Sequence, residues 1–204
     1  MKRIIFGILL FTCFSTISSS QDFDGISKAF TSSYSFEKAG NYDEAAKEII
    51  KVYDDSSYEI NLRLGWLMYK SGSYLESLGY YEKAIAINPY AIEPRFGYNY
   101  PATALGNWTQ AEEQYMKILT IDPMNSSANY WLGMIYYNRE DYMSALKYFE
   151  KVVNLYPFDY DGTIMFAWTN LKILKLREAK LLFQKALLIK PGDSSALEGL
   201  ASIQ

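Results

Sequence analysis

Four stretches of the chain share one pattern: GSYLESLGYYEKAIAINP (72–89), GNWTQAEEQYMKILTIDP (106–123), EDYMSALKYFEKVVNLYP (140–157) and LKLREAKLLFQKALLIKP (174–191). Each stretch begins 34 residues after the previous one, and each has a small residue early, an aromatic residue at its middle and a proline at its end. A fifth copy begins at Gly40, 32 residues before Gly72, but has Ser57 in place of the proline. A repeat of this length is typical of stacked helical units, each of which covers the apolar face of its neighbour.

Each unit is predicted to contain two helices. Apolar residues recur at helical spacing over 128–138, and a second helix is predicted to begin at Asp141 or its neighbour. Pro157 ends that unit, because proline cannot continue a helix. Gly65 and Gly133 are small enough to let the second helix approach the first one closely. The packing stripe of the first helix in this unit is Ala128, Trp131, Leu132, Ile135 and Tyr136.

The upstream half of the units carries a second motif. Leu64-Gly65 is followed by Met68, Leu132-Gly133 is followed by Tyr136, and Phe166-Ala167 is a near match. Together with the 34-residue period, these motifs resemble the tetratricopeptide repeat. The resemblance covers residues 26–193 and implies an all-α fold of tandem helix-turn-helix repeats stacked in a right-handed α-solenoid. The five repeats are then 26–57, 58–91, 92–125, 126–159 and 160–193, and residues 194–204 form a C-terminal capping helix.

Two places in the repeats have local features of their own. Pro101 falls inside the expected first helix of the third repeat, and Asn99 takes the place of the usual small residue. We expect a kink or a broken helix there, because an interior proline costs about 3 kcal/mol in a regular helix. At the C-terminal helix, Ser195 and Glu198 have the spacing of a capping box.

The N-terminal residues are typical of an export signal. Two basic residues precede an apolar run of about 11 residues, which is shorter than the roughly 20 needed to cross a bilayer. We expect residues 1–20 to be a signal peptide and residues 21–25 a loose lead-in, with the mature chain periplasmic or associated with the cell envelope. The alternatives are a short membrane anchor and a lipid anchor at Cys13, which the preceding Thr12 disfavours.

The composition argues against several functional classes. The chain has no histidine and one cysteine, and its net charge is −3. Because histidine is the commonest general base and metal ligand, we expect no catalytic residues, no metal and no cofactor. The negative charge argues against nucleic acid as a partner. Asp159 and Asp161 are a carboxylate pair of the kind that hydrolyses glycans, but they fall at a unit junction, where aspartate is an ordinary turn residue.

In tetratricopeptide repeats, the first helices of successive units line a concave groove. The resemblance implies that the groove residues lie just beside the packing stripe, and here they are mostly aromatic, as in a contact surface. These candidate groove residues are Phe30, Tyr34, Leu62, Trp66, Tyr69, Phe96, Tyr100, Tyr130, Met134, Tyr137, Ile164, Trp168 and Leu171. We expect Trp66, Tyr100 and Trp168 to be the main anchors. For each single residue the alternative is packing between adjacent helices.

The sequence therefore predicts a non-catalytic scaffold or adaptor that binds a segment of another protein. Chaperone-binding members of the family hold a C-terminal carboxylate with Lys and Asn in the groove, but Arg63 and Arg95 are isolated here. An apolar or aromatic-rich segment fits this groove better. Glycan binding and self-assembly into a homo-oligomer are the alternatives, and no transmembrane span is expected in the mature chain.

Overall fold

A computed structural model describes residues 19–203, with side chains from residue 23 onward. The expected anchor at Cys13 and residues 1–18 of the expected signal peptide lie outside the described residues. The described part of the chain is entirely helical, which confirms the all-α fold class. It divides into two compact units, one ending at Tyr53 and one beginning at Asp54.

The first unit is a pair of helices. Helix α1 (Ser19–Lys38) packs against α2 (Tyr42–Ile50), with Ala29, Ala45 and Ile49 buried between them. Residues 21–25, which we expected to be a loose lead-in, lie inside α1. No proline interrupts this stretch, and the single glycine in it costs only about 1 kcal/mol in a helix, so α1 continues through it.

The second unit is a stack of helices in which each one packs against the next along the chain. Its helices are α3 (Tyr58–Lys70), α4 (Tyr74–Ile87), α5 (Glu93–Ala104), α6 (Trp108–Ile121), α7 (Ser126–Asn138), α8 (Tyr142–Leu155), α9 (Tyr160–Lys172), α10 (Leu176–Ile189) and α11 (Ser194–Ala201). The first helices of neighbouring repeats also meet, because α3 contacts α5, α7 contacts α9 and α9 contacts α11. Helices α5 and α7 approach each other less closely than these pairs do.

Polar caps start several of these helices at the same position of the repeat. The side chains of Ser57, Asn125, Asp159 and Asp193 each accept a hydrogen bond from the backbone N–H three residues later. Such a cap satisfies one of the free donors at a helix N-terminus. The capping box that we expected at Ser195 is wrong, because Asp193 begins α11 instead.

The turn between the two helices of a repeat uses a left-handed residue. Gly72 and Gly106 have φ of 87° and 77° there, and Glu140 and Leu174 hold the matching positions with φ of 62° and 61°. Glycine adopts this conformation without steric cost, whereas the other two residues do so under the constraint of the packed helices on either side.

Helix α5 continues through Pro101, so of the kink or break that we expected, the break does not occur. The residue lies near the end of the helix, where its missing N–H leaves only the Gly97 carbonyl without its usual donor. Beyond it the backbone bonding resumes, since Leu105 N–H donates to the Pro101 carbonyl at 3.0 Å. Thr103 Oγ1 adds a bond to the Asn99 carbonyl at 2.7 Å.

Among the described helices, none combines the length and the apolar character that a membrane crossing requires.

Candidate partner-binding groove

Helices α3 and α5 each place a glycine where they pack on the same tyrosine; we call this contact between the first helices of neighbouring repeats a seam. Tyr81 of α4 is only 2% exposed, and its ring lies between Gly65 of α3 and Gly97 of α5. A Cβ atom added at Gly65 would lie 2.9 Å from this ring, and one added at Gly97 would lie 2.2 Å from it. The close approach predicted for Gly65 is confirmed, and so is that for Gly133, whose added Cβ would lie 2.7 Å from Phe149.

The next seam, between α5 and α7, has larger residues at both matching positions. Tyr115 of α6 corresponds to Tyr81, and Asn99 and Trp131 stand where the earlier seam has its two glycines. The Trp131 ring stacks on Tyr115, with centroids 6.5 Å apart and planes 9° apart. Two bulky side chains flanking the ring account physically for the wider spacing of α5 and α7.

An open cavity of about 650 Å³ lies across α3, α5 and α7. Its lining comes from α3, α4, α5, α7 and the residue before α5, and it comprises Leu62, Trp66, Tyr81, Ile92, Glu93, Phe96, Gly97, Tyr100, Ser127 and Trp131. The cavity therefore combines four of the predicted groove residues with six that were not predicted. Its size falls in the range of cavities that enclose a small ligand or a few side chains.

The aromatic residues at one end of this cavity support one another. Tyr69 stacks on Tyr100 with centroids 5.3 Å apart, and Trp66 meets the edge of Tyr100 at 6.1 Å. Tyr100 is 50% exposed, so part of its ring faces solvent. Aromatic side chains fixed by their neighbours lose little entropy when they bind, and for that reason they are frequent anchors of protein interfaces.

A second cavity, of about 320 Å³, adjoins the first one, since Ser127 lines both. It is lined by the predicted groove residue Tyr130 and by Asp159 and Asp161. Burial raises the pKa of the Tyr130 hydroxyl, and the negative charges of Asp161 and Asp159 raise it further. The field of these carboxylates therefore reaches into the groove.

The two aspartates have different tasks. Asp159 Oδ1 accepts a hydrogen bond from Gly162 N–H at 2.7 Å, which caps α9, as expected of a turn residue. Asp161 lies exposed in the first turn of that helix. Within residues 19–203 no group of three or more Asp, Glu, His or Cys side chains has an arrangement that could hold a metal ion.

The comparisons with known proteins agree with this geometry. A family model of the tetratricopeptide repeat (TPR) matches residues 31–92 and 102–160, which together are more than half of the chain. The chain belongs to the tetratricopeptide repeat family. It is 30% identical over 146 residues to the TPR repeat-containing protein YpiA of Bacillus subtilis. That match covers 71% of this chain but 34% of YpiA, so the chain spans about a third of this relative.

Solved structures of TPR proteins share the fold. A tetratricopeptide repeat protein from Parabacteroides merdae superposes with a TM-score of 0.76 at 20% identity, covering 88% of this chain and 72% of that one. MamA from Desulfovibrio magneticus, solved from residue 41 to its end, gives a TM-score of 0.72 at 16% identity, covering 84% of this chain and 98% of that one. The resemblance to the TPR family that the sequence predicted is confirmed.

The remaining groove residues that were predicted from the TPR pattern lie in varied surroundings. Phe30 and Tyr34 contact each other in α1 of the first unit, with ring centroids 6.4 Å apart. In the second unit Tyr137 meets the edge of Tyr142 at 5.3 Å, and Met134 is half-buried. Ile164 is only 7% exposed and belongs to the core of the last repeat, where the partly buried Leu171 also packs.

Trp168, which we expected to be an anchor for a partner, contacts other residues of the protein instead. Its Nε1 donates to Ser195 Oγ of α11 at 2.8 Å, and its ring meets the edge of Phe183 at 5.1 Å. The bond to Ser195 fastens the C-terminal helix α11 to the last repeat, and the contact with Phe183 joins α9 to α10. Trp66 and Tyr100 are therefore the two proposed anchors that line the large cavity.

The sequence analysis missed a side-chain hydrogen bond that recurs at one position of the repeat. The side chains of Asn61, Arg95 and Asn129 each donate to the carbonyl six residues earlier, at 2.9, 2.8 and 3.3 Å. Arg95 also donates to Gln114 Oε1 at 2.8 Å. The 34-residue spacing of these three residues was the available signal. Arg95, which looked isolated in the sequence, holds the turn that precedes its own helix.

Proposed function

We propose that this chain is an exported scaffold or adaptor of the cell envelope that binds a segment of another protein and performs no chemistry. The observation that carries the proposal is the cavity of about 650 Å³ between α3, α5 and α7. Trp66, Tyr100 and Trp131 form its aromatic wall, and Tyr and Trp are the residues that most often dominate the binding energy of interfaces. The TPR fold supports the same conclusion, since proteins of this family are generally non-catalytic scaffolds.

Substitution in the cavity tests this proposal. The full chain, tagged at its C-terminus, is expressed in its native organism as the wild type and as the double variant Trp66→Ala/Tyr100→Ala. The matched control is Tyr90→Ala/Trp108→Ala, which removes one Tyr and one Trp that are 82% and 47% exposed and do not line the cavity. All three proteins must show the same helical circular dichroism before capture is compared.

We expect the same partner to be captured by the wild type and by the control variant. Capture by the cavity variant is expected to fall by at least about tenfold, because two anchors worth about 1 kcal/mol or more each are lost. Equal capture by all three proteins would place the binding surface elsewhere and contradict the proposal.

Export is tested separately by fractionation. The positive end and short apolar run of residues 1–20 support cleavage before Gln21. We expect mass spectrometry of the protein from the envelope or the medium to find a chain that begins at Gln21. An intact chain beginning at Met1 and confined to the cytoplasm would contradict this part of the proposal.

A further inference from the structure

The groove of the second unit is acidic along one edge. We define this acidic edge as Glu93, which lines the large cavity, and Asp159 and Asp161, which line the adjoining one. Neither cavity has a lysine or an arginine among its lining residues. In the described part of the chain Glu93 and Asp161 form no ion pair, so their charges are not neutralised from within the protein.

The basic residues in or next to the first helices are used elsewhere or lie at the opposite edge: Arg63 is buried in α3, and Lys172 is in the last turn of α9. Arg95 is buried and bonded to Pro89 and Gln114, and Arg139 pairs with Glu112 of α6. Lys70 is at the C-terminal end of α3, with its Nζ 5.3 Å from the centroid of Trp66. The aromatic wall thus already holds one cation at the edge remote from Glu93.

The negative charge of Glu93 also raises the pKa of two nearby tyrosines. Burial raises the pKa of Tyr81, and the charge of Glu93 contributes to the rise. Tyr58 responds in the same direction, first to burial and then to Glu93 and Glu59. Tyr58 and Tyr81 therefore lie close to Glu93, and Tyr130 lies close to Asp159 and Asp161.

Glutamate or aspartate in the first turn of a helix is also stabilised by the helix dipole, and this accounts for the presence of Glu93 and Asp161 at those positions. It does not account for the absence of basic lining residues in both cavities, which leaves the acidic edge facing an apolar recess. A bound chain crossing from one cavity to the other would meet aromatic surface and carboxylates in turn.

We infer that the partner segment is cationic as well as apolar: a bulky apolar side chain fills the large cavity, and Lys or Arg side chains beside it pair with Glu93 and Asp161. This inference rests on the proposed function, because it concerns the occupant of the same groove. An apolar anchor supplies the buried area, and the flanking positive charges supply orientation and a faster encounter.

Labelled peptides of about eight residues, which extend to roughly 26–29 Å, test the inference on the full chain by fluorescence anisotropy. Four peptides are compared, in which Leu alternates with Lys, Leu with Gln, Leu with Glu, and Ser with Lys. They are titrated with the wild type, with Glu93→Gln/Asp161→Asn, and with Trp66→Ala/Tyr100→Ala. The matched charge control is Glu113→Gln/Glu150→Gln, which removes two exposed carboxylates of the second helices.

We expect the Leu–Lys peptide to bind the wild type most tightly. Removal of the acidic edge is expected to weaken that binding roughly tenfold, since each partly exposed charge pair contributes a factor of about three to five. The charge control is expected to change it by less than about twofold.

Three results would overturn the inference. In the first, the Leu–Gln peptide binds as tightly as the Leu–Lys peptide and is lost only with Trp66 and Tyr100; the proposed function would then stand without the charge preference. In the second, the charge control weakens binding as much as the acidic-edge variant does, which would indicate diffuse attraction. In the third, no peptide binds the wild type, while the capture experiment independently decides the proposed function.

Discussion

Two seams of the same repeat array differ in one physical respect. Between α3 and α5 the ring of Tyr81 lies against Gly65 and Gly97, and the seam is filled. Between α5 and α7 the ring of Tyr115 lies between Asn99 and Trp131, and Trp131 lines the cavity of about 650 Å³, which extends across α5 to Tyr81 and Gly97.

The difference teaches how a repeat array can acquire a binding site without a change of fold. Neighbouring repeats must bury each other's apolar faces, and glycine lets their backbones approach closely enough to do so. Where larger residues replace both glycines, the first helices stand apart and aromatic surface remains available. The predictions below test whether residue size at these positions decides between a closed and an open seam.

The largest effect is expected in the closed seam. Gly97→Ala adds a Cβ that would lie 2.2 Å from the Tyr81 ring, and that ring cannot retreat because Gly65 lies on its other side. We expect urea denaturation to show a loss of about 3 kcal/mol in the free energy of unfolding, as for overpacked cores. Gly79→Ala in α4 is the matched control, because its Cβ would meet nothing within 4 Å. It should stabilise the protein by about 1 kcal/mol. A similar small gain at both glycines would show that the seam is not tightly closed.

The second prediction concerns ionisation at the open seam. Burial raises the pKa of Tyr115 to about 12, against about 10 in the unfolded chain, and the nearby Asn99 carboxamide opposes part of this rise. A raised pKa means that the folded state holds the proton more tightly. The stabilisation is therefore complete below pH 10 and is lost as the pH rises from about 10 to about 12.

Tyr115→Phe removes this dependence while keeping the ring, and Phe149 and Phe183 already occupy the same position in later repeats. Between pH 9 and pH 12 we expect the wild type to lose about 2 kcal/mol more of its free energy of unfolding than the variant does. Tyr81, whose pKa is also raised, contributes equally to both proteins and cancels in the difference. Parallel losses in the two proteins would mean that Tyr115 is well solvated.

Much of the fold could be predicted from single residues at fixed spacing. The 34-residue period gave the helix pairs, and Gly65 and Gly133 gave the close approaches, because each of these signals depends on local geometry. Of the kink or break expected at Pro101, the break does not occur, because the Leu105 N–H bond to the Pro101 carbonyl and the bond of Thr103 to the Asn99 carbonyl hold the last turn of α5 together.

The open seam could not be predicted in this way. Trp131 lies on the packing stripe of α7 and was assigned to the core, yet it is 43% exposed and lines the cavity. Its position depends on Tyr115 and Asn99, which belong to the preceding repeat. Ile164 was predicted to line the groove, but it is buried in the core of the last repeat, to which the C-terminal helix contributes Ala196. Contacts between repeats, rather than periodicity within one repeat, decide such residues.

A smaller effect is expected for Trp131→Ala at the open seam. The indole is about half exposed, so its loss should cost about 1 to 2 kcal/mol, well below the 3 to 5 kcal/mol of a fully buried tryptophan. Urea denaturation provides this measurement. Trp168→Ala is the comparison, because that indole is tied to Ser195 and Phe183 and should cost more. A larger loss at Trp131 than at Trp168 would mean that Trp131 is a core residue after all.

The smallest change in stability is expected for Asn99→Ala, although its structural consequence is the most informative. Alanine favours the helix by about 0.5 kcal/mol over asparagine, while the lost contacts of a side chain that is only 2% exposed act against this gain. The free energy of unfolding should therefore change by less than about 1 kcal/mol. The space released beside Tyr115 should let its ring move toward α5, so that α7 follows and the cavity of about 650 Å³ becomes smaller. A crystal structure of the variant measures this directly, with the α3–α5 seam as an internal reference. If the cavity keeps its volume, Trp131 alone holds the seam open, and the replacement of the other glycine is incidental.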